Sequence, residues 1–266
     1  MNVMQRRTII GIGALILVAA GFYAWYAFRE SPPIPAPVAQ GPVSKPLAET
    51  TPTMNYPIEL PAAPVGVPLP SLDLSDKEVG DSLALLFGWK SLPTLIYPGK
   101  MIRRFVATID NLPRQFAPAR MWPVRPVTGA FVVIKTDTGL VISPNNAARY
   151  APYIKLLQSV DVHGLVDWYV RYYPLFQQAY QELGYPTGYF NNRLIETLDN
   201  LLDAPEVSAP VRVVQPKVLS EFSDPALEKL SAGQKIMIRM GSENSARAKA
   251  SLRAIRSEVM RRVSVK

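Results

Sequence analysis

The stretch DVHGLVDWYVRYYPLFQQAYQELG (Asp161–Gly184) carries the strongest helical pattern in the chain. Asp161 is a favourable N-cap residue, and Gly184 is a favourable helix stop because glycine tolerates the left-handed conformation found after helix ends. Pro174 is expected to bend the helix. Apolar residues recur here at helical spacing and form one stripe, which consists of Tyr169, Tyr173, Phe176 and Tyr180.

Shorter helical patterns flank this segment on both sides. Ser75 with Glu78 and Ser231 with Gln234 have the spacing of capping boxes, in which side chain and backbone cap each other at a helix start. Asp224–Pro225 favours a further short helix. The remaining helical patterns cover residues 102–112, 145–158, 189–202 and the residues from Ser242 onward.

Two short runs rich in β-branched residues, Ala130–Ile134 and Leu140–Ser143, flank the turn sequence KTDTG and predict a hairpin. Val211–Val214 and Val218–Phe222 are further strand candidates. Helical patterns nevertheless dominate. The predicted fold class is therefore mainly α with a small β element, and residues 71–266 form its compact helical domain.

The N-terminal part predicts a membrane anchor. Thr8–Phe28 contains 21 residues without a formal charge, and about 20 apolar residues suffice to cross a bilayer. The run ends in bulky aromatic residues, which suit the membrane interface better than a signal-peptide cleavage site. Arg6 and Arg7 predict that residues 1–7 stay in the cytoplasm and that residues 8–28 span the inner membrane once. The C-terminal domain is then expected in the periplasm.

Residues 29–70 predict an irregular linker, because 12 of the 26 prolines of the chain fall within Ser31–Pro70. Proline removes a backbone donor and favours extended geometry. A polyproline-like chain of this composition rises by roughly 3.1 Å per residue, which gives a reach on the order of 120 Å.

The composition excludes many catalytic centres. The chain has one histidine and no cysteine, so zinc and iron sites built on several such ligands are excluded. No nucleotide-binding fingerprint is present, and no cofactor or metal is expected. A catalytic mechanism that uses only carboxylates remains an alternative. Its candidate residues are Asp110, Asp161, Asp167, Glu182, Asp199, Asp224 and Glu228.

Positive charge is concentrated in two segments. Lys and Arg exceed Asp and Glu by five in residues 100–125 and by five in residues 242–266, whereas the whole chain has a net charge of +8. Such segments either form an anion-binding face or pair with acidic residues elsewhere in the domain. The candidate anion- or partner-binding residues are Arg103, Arg104, Arg253, Arg256, Arg261 and Arg262, together with Tyr172, Tyr185 and Tyr189, which lie off the aromatic stripe.

Several stretches together resemble one bacterial family, catalogued as domain of unknown function 3014. They include MIRRFVATIDNLPRQFAPARMWPV (Met101–Val124), RYAPYIKLLQSVD (Arg149–Asp161), Tyr172–Val207 and Val214–Gly241. The resemblance implies an uncharacterised membrane-anchored envelope protein, with the same layout of anchor and proline-rich linker. It implies no catalytic or binding residue.

These features favour a non-enzymatic binding or scaffold protein of the bacterial cell envelope. Its expected partner is another envelope protein or an anionic cell-wall or lipid component. The predicted compartment argues against nucleic acid. The alternatives are a carboxylate-dependent cell-wall hydrolase and a structural subunit that assembles with copies of itself.

Overall fold

A computed structural model describes residues 53–58, 68–88, 95–216 and 219–263 of the chain. The described part contains eight α-helices and four β-strands. The helices are α1 (Asp76–Phe87), α2 (Met101–Asn111), α3 (Asn146–Ser159), α4 (Val162–Glu182), α5 (Phe190–Leu202), α6 (Pro225–Glu228), α7 (Ala232–Arg239) and α8 (Ser242–Arg261). The strands are β1 (Val133–Thr136), β2 (Gly139–Ile142), β3 (Arg212–Val214) and β4 (Glu221–Phe222). The prediction of a mainly helical fold with a small β element is therefore confirmed.

Helix α4 lies at the centre of the main hydrophobic core. It packs against α1, α2, α5 and α8, and its predicted aromatic stripe is buried. Phe176 stacks on Phe190 at the start of α5, with 5.5 Å between the ring centroids. The helix continues through Pro174, which lies on its exposed side, where a missing N–H donor costs least.

The structure confirms helix starts at Ser75, Asp161 and Ser231, but the capping box predicted at Ser75 is absent. The Asp161 carboxylate accepts a hydrogen bond from Gly164 N, and Ser231 forms a complete capping box with Gln234. Ser75 forms no such box, because its hydroxyl donates instead to the carbonyl of Leu72 at 2.8 Å.

The four strands form one antiparallel sheet in the order β1-β2-β3-β4. The predicted hairpin is confirmed: Thr136 pairs with Gly139, which leaves Asp137 and Thr138 as the turn between the two strands. One face of the sheet buries Val213 and Phe222 against Ile238 of α7. The sheet and α7 thus share a small core of their own.

Thr53–Ile58, here called the docked segment, lies on the surface of α5 and beside the end of α8. Its Tyr56 packs against the main core, and Ile58 forms an isolated antiparallel bridge with Val263. The segment lies within the predicted linker and contains no helix or strand. It nevertheless packs on the domain, because asparagine side chains of α5 bond its backbone.

The predicted membrane span, residues 8–28, lies outside the described residues. Among the helices of the described part, none combines the length and the apolar character that a membrane crossing requires.

Candidate anion-binding site

The loop that follows α2 is held against the residues that precede α2. Tyr97 N–H donates to Pro123 O at 2.8 Å, and Arg125 N–H donates to Leu95 O at 2.7 Å. These two bonds flank an isolated antiparallel bridge. They bring Arg125, which is distant from α2 in the sequence, next to the first turn of that helix.

Two guanidinium groups meet at the ring of Tyr97. Arg104 of α2 places its Cζ 5.4 Å from the ring centroid, and Arg125 places its Cζ at 4.8 Å. Both distances lie within the range of cation–π attraction. Arg104 Nη1 also donates to the carbonyls of Arg120, at 2.8 Å, and Trp122, at 3.2 Å. The side chain of Arg104 thus links α2 to the loop through backbone carbonyl groups, and these bonds involve no carboxylate.

Helix α3 adds a third guanidinium group to the same loop. Arg149 donates from Nε to Thr128 O at 2.9 Å and from Nη2 to Gly129 O at 2.7 Å. One turn later, the hydroxyl of Tyr153 donates to Arg125 O at 2.8 Å. Burial raises the pKa of Tyr153, and the positive charge of Arg125 opposes this rise.

We call Arg104, Arg120, Arg125 and Arg149 the arginine cluster. None of the four forms an ion pair with a carboxylate of the described residues, and Arg120 and Arg125 are exposed to solvent. Like charges held close together raise the local potential and attract anions. Guanidinium groups also match the oxygen geometry of phosphate and carboxylate groups. The cluster therefore has the composition of an anion-binding site.

Two buried donors beside the cluster have no acceptor within the described part of the chain. They are Nε of Arg104 and Nε1 of Trp122. A buried donor without a partner costs roughly 1–3 kcal/mol. A water molecule or a ligand oxygen that reached either donor would remove this cost.

Arg103 of α2 and Arg256 of α8, which the sequence also proposed as binding residues, differ from the arginine cluster because they pair with acids. Arg103 donates to Glu182 at 2.7 Å, and Arg256 donates to Asp199 at 2.5 Å. These contacts connect α2 with α4 and α5 with α8, so they stabilise helix packing. Arg253 is exposed and has no carboxylate partner among the described residues.

The end of α8 carries a compact ionic network. Glu258, whose side chain is only 3% exposed, pairs with both Arg261 and Arg262. Its Oε1 also lies 3.0 Å from Nδ1 of His163, and Arg262 reaches Asp167 at 2.6 Å. The single histidine and the last basic residues therefore join α4 to α8. Positive charge in this segment is largely neutralised.

The three tyrosines proposed as ligand contacts lie in three different environments. Tyr172 is 1% exposed, and its hydroxyl donates to Glu78 at 2.9 Å. The expectation that it lies outside the core was wrong, because α1 covers that side of α4. Tyr185 is half-buried, and its hydroxyl lies 3.3 Å from a carboxylate oxygen of Asp110. Tyr189 is half-buried immediately before α5. The structure does not bring these residues together with the arginine cluster.

Each candidate catalytic carboxylate already has a partner. Asp161 and Asp224 cap helices. The other five pair with basic side chains, namely Asp110, Asp167, Glu182, Asp199 and Glu228. Burial acts to raise the pKa of Glu228, but hydrogen bonds from Lys235 and from Phe222 N–H outweigh it and lower the pKa.

A cavity of about 460 Å³ lies between β2, α3 and the start of α8. Its lining contains Glu243, which pairs with Arg247 at 2.5 Å, and Arg239, which stacks on Phe222. Within the described residues, no group of three or more histidines and carboxylates could hold a metal ion.

Sequence reasoning missed Arg120, Arg125 and Arg149 as site residues, although a signal was present. Residues 111–160 contain six basic residues and a single acidic one, Asp137. A basic segment without nearby acids has few local partners, so its charge stays uncompensated unless a distant part of the chain supplies a carboxylate. Arg256 shows the limit of this criterion, because its partner Asp199 lies 57 residues away in the sequence.

Comparison with protein families gives one match. The model of the family described as Protein of unknown function (DUF3014) matches residues 101–256, which is more than half of the chain. The chain belongs to the DUF3014 family. All four residues of the arginine cluster lie inside the DUF3014 range, whereas the docked segment lies outside it. No curated protein and no solved structure matches the chain.

Proposed function

We propose that this DUF3014 protein is a membrane-anchored binding protein of the bacterial cell envelope, and that its arginine cluster binds an anionic envelope component. In this proposal residues 8–28 span the inner membrane and residues 1–7 lie in the cytoplasm. The C-terminal domain lies in the periplasm, on a proline-rich linker.

One observation carries the proposal. Arg104 and Arg149 bond carbonyl groups of the loop that carries Arg120 and Arg125, and none of the four has a carboxylate partner among the described residues, whereas Arg103 and Arg256 are paired with acids. Positive charge without an acidic partner thus lies on this loop and on the helices that bond to it. An anion with several oxygens would lower the mutual repulsion of these groups and accept their remaining donors.

The other functions considered gain no comparable support. All seven candidate carboxylates cap a helix or pair with a basic side chain, so no free pair of acids supports hydrolysis. No observation on the described residues favours self-assembly. Binding of an anion is therefore the function that the geometry supports best.

Direct binding of soluble anionic probes tests the proposal. The full chain is reconstituted in nanodiscs of neutral phosphatidylcholine and titrated with fluorescent polyphosphate and, separately, with fluorescent polyglutamate. The double variant Arg120→Gln/Arg125→Gln removes the two exposed guanidinium groups of the cluster. Its affinity is expected to fall by roughly tenfold or more, because hydrogen bonds to charged groups contribute about 1.5–3 kcal/mol each.

The double variant Lys77→Gln/Arg247→Gln is the matched control, since it removes the same charge from exposed positions whose acidic partners are also exposed. Its affinity is expected to change by less than about twofold, as exposed ion pairs are weak. The preferred probe identifies phosphate or carboxylate as the ligand chemistry. Absence of binding to both probes, or equal losses in the two double variants, would refute the proposed site.

A further inference from the structure

The docked segment is held by a side chain that recognises its backbone. Oδ1 of Asn192 accepts hydrogen bonds from the amides of Asn55 and Tyr56, both at 3.2 Å. Nδ2 of the same side chain donates to Thr53 O at 2.8 Å. One asparagine therefore satisfies three backbone groups of the segment, whose backbone bends at Asn55 and Tyr56.

The adjacent residue completes the contact from inside the domain. Asn191 is 0% exposed, and its Nδ2 donates to Tyr56 O at 2.8 Å. Its Oδ1 accepts from the hydroxyl of Tyr169 at 3.0 Å, which fixes the orientation of the amide. We call Asn191 and Asn192 the tether clamp. Asn191 is thus oriented by Tyr169 of α4, independently of the peptide, whereas the side-chain hydrogen bonds of Asn192 go to the docked segment itself.

The docked segment itself is held at few points. Thr53, Met54 and Asn55 are exposed, and only Tyr56, Pro57 and Ile58 are half-buried. Such a segment has few apolar contacts, and segments of this kind open at a small fraction of the free energy of global unfolding. The domain on the other side of the clamp is packed by the aromatic core of α4 and does not need to unfold when the segment leaves.

We propose that the tether clamp is a binding site for a bent peptide segment, that its ligand is the protein's own docked segment, and that occupancy of the site sets the free length of the proline-rich linker. With the segment docked, 24 residues (29–52) separate the predicted span from the first clamped residue. At the expected rise they reach about 75 Å. Release extends the free chain to Pro68, since Leu69 packs on the core, and the reach becomes about 120 Å.

The length-setting role rests on the proposed membrane anchor, whereas the clamp itself does not. Double electron–electron resonance tests the clamp in the full chain. The chain has no cysteine, so Met54→Cys and Asp203→Cys introduce the only labelling sites, and both positions are exposed. The otherwise unchanged chain is expected to give one narrow distance distribution.

Asn192→Ala in this background removes three hydrogen bonds and is expected to add a broad, longer-distance population. Hydrogen exchange at the amides of Asn55 and Tyr56 is expected to accelerate by roughly tenfold or more. Asn145→Ala is the matched control, because Asn145 is exposed and forms no side-chain cap bond. An unchanged narrow distribution in Asn192→Ala, or a broad one in the parent chain, would overturn the clamp.

Energy transfer from a dye in the bilayer to a label on the domain tests the length. In nanodiscs, Asn192→Ala is expected to lower the transfer efficiency relative to Asn145→Ala. Equal efficiencies together with a broadened resonance distribution would overturn the length-setting role while leaving the clamp intact. Failure of the full chain to insert into the bilayer would instead refute the proposed anchor, and with it the length-setting role.

Discussion

Asp110 offers the sharpest test of how this domain uses its charges. Its side chain is 7% exposed and lies between two arginines. Nη2 of Arg114 approaches one carboxylate oxygen at 2.9 Å, and Nε of Arg193 approaches the other at 3.2 Å. The hydroxyl of Tyr185 completes the surroundings at 3.3 Å. This carboxylate connects α2, α5 and the loop between α4 and α5.

Asp110→Asn keeps the shape of the side chain and removes its charge. Arg193 is 14% exposed and would then face a neutral amide, although its contact with Glu196 remains. Removal of one partner from a buried ion pair costs about 3–5 kcal/mol. Arg114 is half exposed and is partly solvated, so the lower end applies, about 3 kcal/mol. For a domain of this size the melting temperature should fall by about 6–12 °C.

Urea denaturation of the full chain in detergent, followed by circular dichroism, measures the change in the free energy of unfolding. Asp81→Asn is the matched control, because Asp81 also pairs with a basic residue four positions away, Lys77, but on an exposed surface. The free energy of unfolding of Asp81→Asn should be indistinguishable from that of the wild type. A loss of less than about 1 kcal/mol in Asp110→Asn would refute the reasoning, since the buried pair would then contribute no more than a typical surface pair.

Three further variants test packing and protonation. A Cβ atom on Gly233 would lie 3.1 Å from the carbonyl oxygen of Leu112, so Gly233→Ala should destabilise the domain by about 1–3 kcal/mol in urea denaturation. A Cβ atom on Gly80 would meet only the flexible end of Met101, at 3.0 Å. Gly80→Ala, inside α1, should therefore be neutral or stabilise the domain by up to about 1 kcal/mol. Equal losses of stability in the two glycine variants would contradict the steric argument. Burial raises the pKa of Tyr180 from 10.0 to about 12, so the stability that its neutral form contributes is complete below about pH 10 and is lost as the pH rises toward 12. Tyr180→Phe should weaken this decline in urea midpoints measured across that range, and an unchanged decline would contradict it.

Features that depend on neighbouring residues could be predicted from the sequence. The Asp161 cap, the capping box of Ser231 and the Thr136–Gly139 turn all form between residues at most three positions apart. Ser75 shows the limit of this approach, because its hydroxyl has two local options. It can accept from the amide of Glu78, as in a capping box, or donate to the carbonyl of Leu72. The carbonyl of Leu72 is the partner that the structure selects, and the spacing alone does not distinguish the two outcomes.

Features that depend on distant contacts could not be predicted. Tyr172 lies off the aromatic stripe, yet α1 and Glu78 bury it from a position 94 residues away. Distant contacts also decide whether an arginine pairs with an acid. The partner of Arg103, Glu182, lies 79 residues further along the chain. Spacing identifies which side chains share a helix face. It does not identify the elements that will cover that face.

The pairing of charges separates the part of the molecule that holds the helices together from the part that is free to bind. Basic residues of α8 reach acids on α4 and α5, as Arg262 and Arg256 do, so substituting them changes the packing between helices. Arg120 and Arg125 bond no carboxylate of the described residues, and their loop is held by backbone hydrogen bonds. Their side-chain charge can therefore be removed at little expected cost to the fold. A loss of anion binding in Arg120→Gln/Arg125→Gln could then be attributed to the site, whereas a loss in a variant of Arg256 or Arg262 could not.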